Sequence, residues 1–175
     1  MAPSPSASPF AVPPLLDLLG GWAEHGRDFW LGLGRLESRL LAPELAVVAV
    51  TAPIYVAGLA RAGSTLLHEI IAAHPGVATH RAKDYPLVYT PYWWRRATAG
   101  HKPGTPRERA HGDRILIMSE SPDALEEMLW TAFFPRCHDP STDNRLGAAT
   151  RRPAFEDFYA KHIRKILLAE GAGRY

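Results

Sequence analysis

The stretch Pro53-Ile-Tyr-Val-Ala-Gly58-Leu-Ala-Arg61-Ala-Gly63-Ser64-Thr65-Leu-Leu67 constrains this chain more than any other part of it. Ile54, Tyr55 and Val56 form a short apolar run bounded by Pro53 and Gly58, a length that suits a buried parallel strand over 53–58. Leu66, Leu67, Ile70 and Ile71 then make one apolar stripe, which predicts a helix from about Gly63 to Ala73. His68 and Glu69 fall off that stripe, and His74-Pro75-Gly76 stops the helix. Between strand and helix lies Gly58-Leu-Ala-Arg-Ala-Gly63-Ser64-Thr65, with the GxxxxG spacing of a phosphate loop.

The chemistry of such a loop is carried by its backbone. Glycines let the chain turn sharply and leave N–H groups unobstructed. The N–H groups of Ala62, Gly63, Ser64, Thr65 and Leu66 can form an anion nest, and the helix start adds a partial positive charge. The Ser64 and Thr65 hydroxyls can donate to phosphate oxygens. Arg61 supplies a permanent cation able to fork onto a phosphate or sulfate. A nucleoside-triphosphatase loop has Lys after its second Gly, to reach the β- and γ-phosphates. Ser64 stands there instead. The loop therefore suits a shorter anionic group, such as one phosphate bearing one sulfate.

These residues resemble the 5′-phosphosulfate loop of the PAPS-dependent sulfotransferase superfamily, whose pattern is close to G-x-P-R-S-G-[ST]-T-L-L. Ala73-His-Pro-Gly-Val77 resembles the helix end of bacterial members. Arg81-Ala-Lys-Asp84-Tyr-Pro86, Glu108-Arg-Ala-His111-Gly-Asp113 and Ser121-Pro-Asp-Ala-Leu-Glu-Glu127-Met-Leu-Trp130 resemble segments of one bacterial subgroup. The resemblance spans residues 50–175. It implies an α/β fold, a P-loop NTPase-like parallel sheet with flanking helices. It also implies PAPS as co-substrate and transfer of a sulfuryl group to a hydroxyl or amine. Two positions depart from the pattern: Ala60 replaces Pro, and Ala62 replaces Ser and removes a hydroxyl donor, a loss of roughly 1 kcal/mol in donor binding.

Sulfuryl transfer needs an in-line acceptor, a base for its proton and stabilisation of the leaving phosphate. Arg61 and the loop N–H groups suit the last role. The candidate bases are Asp84, His111 and Glu126. Asp84 also reads as a surface carboxylate paired with Arg81 or Lys83, His111 as a plain loop histidine, and Glu126 as a solvated helix charge. His162 falls on an apolar stripe and reads as a core histidine. His74 and His80 form no metal-ligand pattern with an acidic partner, so no metal is expected. Tyr85, Tyr89, Tyr92, Trp93 and Trp94 suit either an acceptor pocket or an aromatic core.

The rest of the 175 residues divides into a Pro/Ser/Ala tail (1–9), a helical segment (10–50) and the loop domain (51–175). Helices are predicted over 14–25 and 27–41, the second with Phe29, Trp30, Leu33, Leu36, Leu40 and Leu41 at helical spacing. Val77–Thr79 is a second candidate strand, and 81–112 carries no assignable pattern. Ser121 and Pro122 read as cap and first position of a helix buried through Leu125, Met128, Leu129, Ala132 and Phe133. A last helix is predicted from about Pro153 to Glu170, with Phe155, Phe158, Tyr159, His162, Ile163 and Ile166 on one face. Lys161, Arg164 and Lys165 lie beside or opposite that face. After it the family pattern continues into a strand beginning near Arg174-Tyr175 and leading to the 3′-phosphate residues. The expectation is therefore a truncated, helix-rich domain whose activity alone is in question.

A net charge of +2 without a Lys/Arg run argues against nucleic acid. One cysteine, Cys137, excludes a disulfide within the chain and a Cys-based zinc site. The N-terminus lacks a basic leader pattern, and no apolar run approaches the ~20 residues of a membrane span. A cytoplasmic protein with a small-molecule acceptor is expected. Two competing readings stand beside it: a small-molecule or nucleotide kinase with a degenerate loop, and a non-catalytic phosphate-binding or helical interaction module.

Overall fold

The computed structural model describes residues 26–59, 62–100, 105–108, 116–143 and 145–175. The predicted tail over 1–9 and the helix over 14–25 lie outside them. Among the described residues six α-helices follow in order: α1 Arg27–Leu40, α2 Ala42–Ala46, α3 Ser64–Ala72, α4 Pro91–Thr98, α5 Glu126–Phe133 and α6 Pro153–Glu170. A 3₁₀ turn, Ala82–Asp84, precedes α4. Two short strands, β1 Arg107–Glu108 and β2 Leu116–Ile117, pair antiparallel with Arg107 opposite Ile117.

Helix α6 is the spine, and α1, α2, α4 and α5 all contact it. Its N-terminal half places Phe158 in a core with Trp30, Leu31, Val88, Tyr89, Leu129 and Ala132. Its C-terminal half places Ile163, Ile166 and Leu167 in a second core with Ala78 and Tyr175. The predicted bounds of α6 match those observed, because Pro153 suits a first helical turn and Gly171, at φ 65°, closes the end in the left-handed region.

Helix α1 forms where its periodicity predicts, but it buries a different face. Trp30, Leu31, Gly34, Glu37 and Ser38 point inward, whereas Phe29, Leu36 and Leu40 are exposed. The reason is Gly34. A β-carbon there would lie 2.6 Å from the Tyr89 carbonyl oxygen and 2.9 Å from the Phe158 ring. Contact this close is open only to glycine, and it carries Glu37, one turn on, into the interior.

Three other expectations are corrected. Helix α5 begins at Glu126, not at Pro122. Ser121 instead accepts the Met118 N–H through its hydroxyl at 3.0 Å, closing the turn after β2. Lys165 is fully buried in α6, not beside or opposite its inner face. The stripe of α3 faces outward: Leu66, Leu67 and Ile70 are exposed, and no residue of α3 is fully buried.

Neither 53–58 nor 77–79 forms a regular ladder. Each makes backbone contact with the last residues of the chain. Ile54 N–H donates to the Tyr175 carbonyl and Ala78 N–H to the Arg174 carbonyl, both at 2.8 Å. Val77 and Arg174 pair in parallel. Residues 174–175 thus lie between the segments that precede and follow α3. A strand needs a run of paired residues, and single bonds do not build one.

Candidate functional site

Gly63 stands at φ 78°, immediately before α3. Side chains rarely adopt that conformation, and glycine does so freely. The reversal starts α3 abruptly, with Leu67 N–H reaching the Gly63 carbonyl at 3.1 Å. The earliest N–H groups of any helix have no intrahelical acceptor and carry the positive end of its dipole. No side chain caps this helix from Gly63. Ser64 and Thr65, at its first two positions, line a cavity of about 600 Å3. A helix start with Ser and Thr lining a cavity is of a kind that can accept an anion. Ala62 and Leu66 are exposed beside it. Arg61 and His111 lie outside the described residues.

The cavity is walled by helices and by the segments between them. From α3 come His68 and Glu69, one turn beyond Ser64 and Thr65. His68 Nε2 lies 2.8 Å from the Thr79 hydroxyl. The 54–57 segment adds Tyr55, and 77–79 adds Val77, Ala78 and Thr79. Helix α5 contributes Glu126 and Trp130, α6 contributes Tyr159, and Tyr175 closes the wall.

Around Glu126 the side chains converge. The Tyr175 hydroxyl donates to Glu126 Oε1. The Tyr175 ring lies 6.4 Å from Tyr55 in edge contact, and Tyr55 stacks on Tyr159 at 6.5 Å. Burial, and then the Glu126 charge, push the Tyr175 phenol well above its ordinary pKa. Burial, followed by Tyr55, raises that of Tyr159 in the same way. Both phenols therefore stay protonated, and that of Tyr175 donates to Glu126.

Asp84 occupies a different environment. It is fully buried and does not line the cavity. Arg95 forks onto it, Nε to Oδ1 at 3.1 Å and Nη2 to Oδ2 at 2.5 Å. The Arg81 backbone N–H donates to Oδ2 at 2.9 Å, and His80 Nδ1 lies 3.4 Å from the same oxygen. Burial alone would raise its pKa; the bonds from His80 and Arg95 outweigh that and hold it well below the usual carboxylate range. The surface pairing with Arg81 or Lys83 read from sequence is corrected: Arg81 instead pairs with Glu170 and Lys83 with Glu120. Arg95 also reaches Glu170 at 2.7 Å, so one ionic network ties the 3₁₀ turn, α4 and α6 together.

His162 is buried, in keeping with its apolar stripe, and faces His80 with the two Nε2 atoms 3.0 Å apart. Tyr89 belongs to the core, whereas Tyr85, Tyr92, Trp93 and Trp94 do not line the cavity. The cavity's own aromatics, Tyr55, Trp130, Tyr159 and Tyr175, come from four separated segments. Only His68 and Glu69 carried a local signal, since positions three and four beyond Thr65 share its helix face. Among the described residues no group of three or more His, Cys, Asp or Glu side chains is placed to hold a metal. Among them, too, no helix is long and apolar enough to cross a membrane.

Comparison with models of protein families, with curated proteins and with solved structures finds no match in any of the three.

Proposed function

We propose that this chain carries the donor loop and acceptor cavity of a PAPS-dependent sulfotransferase acting on a hydroxyl or amine of a small molecule. The observation that carries the reading is the left-handed Gly63, which opens α3 with Ser64 in place of lysine and turns Ser64 and Thr65 to the cavity that also holds Glu126. In this reading the α/β domain is organised around the segments flanking α3, and the protein works in the cytoplasm, where a lone cysteine stays reduced.

The roles follow from position. The start of α3, with Arg61, neutralises charge developing on the leaving phosphate. Glu126 takes the acceptor's proton as the acceptor oxygen or nitrogen bonds to sulfur and the sulfur–phosphate oxygen bond breaks. Tyr175 holds Glu126 in place. Asp84, locked between Arg95 and His80, serves the architecture.

Titration calorimetry with PAP and with ATP plus magnesium tests the reading. PAP binding stronger than ATP binding, weakened by Arg61→Ala and Thr65→Ala, is expected. Equal or stronger ATP binding favours a degenerate-loop kinase. Binding of neither favours a helical interaction module, a reading to which the exposed Leu66, Leu67 and Ile70 lend support.

A further inference from the structure

The geometry around Glu126 points to a cationic acceptor, which we infer to be a ring-bearing primary amine or amino alcohol; the inference rests on the transferase reading of this cavity. Glu126 is bonded by one phenol, and two more from separate segments line the same cavity. Tyr175 bonds its carboxylate directly, and Tyr55 stands against both Tyr175 and Tyr159. Trp130, half-exposed one helical turn beyond Glu126, lines the same cavity. Aromatic faces carry negative charge density and attract ammonium groups, the more so when a carboxylate sits at the end of the cage.

The wider field has the same sign. Asp123, three residues before Glu126, also lines the cavity, while no Lys or Arg does so among its described lining residues. His68, bonded to Thr79, is the one basic side chain among those residues. Negative groups within low-dielectric walls concentrate cations beside them. An acceptor carrying a carboxylate or phosphate would meet like charge, and a neutral phenol would leave Glu126 without a counter-ion. The anionic donor belongs at the other end, where Ser64 and Thr65 open α3.

Three probes of matched shape test the inference on the full chain without any donor: tyramine, 4-ethylphenol and 3-(4-hydroxyphenyl)propionate. Amide chemical shifts followed through each titration give both affinity and location. Tyramine binding about tenfold tighter than 4-ethylphenol, with the propionate weakest, is expected. Shifts should centre on Glu126, Trp130 and Tyr175 and spare Glu127 and His138. Glu126→Gln should bring tyramine down to the affinity of 4-ethylphenol. Tyr55→Leu, a change at an exposed ring, should weaken tyramine severalfold and keeps the test decisive if Glu126→Gln fails to fold. Tyramine binding no tighter than 4-ethylphenol, a preference that survives both variants, or shifts centred elsewhere would overturn the cationic acceptor. Loss of PAP binding in the calorimetry would overturn the transferase reading instead, because these probes need no nucleotide.

Discussion

Lys165 and Glu37 face each other at 2.8 Å with neither side chain reaching solvent. The Lys165 ammonium also lies 3.2 Å from the Gly34 carbonyl and 3.4 Å from that of Tyr89, and Glu37 Oε1 accepts the Trp93 N–H at 2.6 Å. Burial pushes the Glu37 pKa up and that of Lys165 down, while each charge opposes the other's shift. The pair joins α1 to α6 and to the start of α4. Removing one partner strands a buried charge, so Glu37→Leu or Lys165→Met alone should each cost about 3–5 kcal/mol. The double variant should cost clearly less than the sum. Urea denaturation of all four proteins measures the coupling, and simple additivity would refute it.

Gly34→Ala should destabilise the protein although alanine is the better helix former. Propensity favours the change by about 1 kcal/mol. Against this, the new methyl would meet the Tyr89 carbonyl and the Phe158 ring at distances no β-carbon tolerates. Overpacking of this kind costs about 1–3 kcal/mol, and a lowered thermal midpoint is expected. Gly32→Ala, whose methyl would meet nothing within 4 Å, is the control and should raise it.

Acid should destabilise the fold in two steps. Burial first, then the charges of His80, Lys165 and Arg95, hold His162 neutral well below its ordinary pKa. The unfolded chain takes up that proton below about pH 6.5, so stability is full above this value and falls as pH drops through it. Asp84 is held below its ordinary value, and its contribution is lost as pH falls below about 4. Urea midpoints measured from pH 8 to pH 3 show the first step whole and the onset of the second. His162→Leu should erase the upper one; an unchanged slope between pH 7 and pH 5 would count against this assignment.

The donor loop makes a sharper prediction. Gly63→Ala forces a side chain into φ 78° at a cost of about 1–2 kcal/mol and tilts the start of α3. PAP affinity should fall at least as far as in Thr65→Ala. Calorimetry that finds Gly63→Ala indistinguishable from the parent chain would show that the turn does not shape the site.

Glu126 and Asp84 should separate by the kind of damage they cause. Glu126→Gln should lower the sulfuryl-transfer rate by about 10²–10⁴-fold while PAP affinity and thermal midpoint stay near those of the parent. Asp84→Asn leaves Arg95 and His80 facing a neutral amide in a closed interior, so the loss should appear in stability. Turnover assays run beside thermal melts compare the two. A Glu126→Gln chain with full turnover would remove it as the base.

The sequence by itself determined the local features. The α6 pattern, bracketed by Pro153 and Gly171, announces its own length, and Gly63 before Ser64-Thr65 announces a turn that only glycine makes easily. Both are near-neighbour effects, set by backbone sterics and by spacing along one helix. The tertiary structure alone decided what each face meets. Lys165 falls beside or opposite the inner face by spacing until the close approach at Gly34 brings it to Glu37 across 128 positions of chain. Asp84 looks like an exposed carboxylate until Arg95, eleven residues on, encloses it. The cavity draws Tyr55, Glu126, Tyr159 and Tyr175 from separate elements, and no spacing encodes that meeting. Ion pairs and cavities depend on distance in space, which periodicity along the chain does not specify.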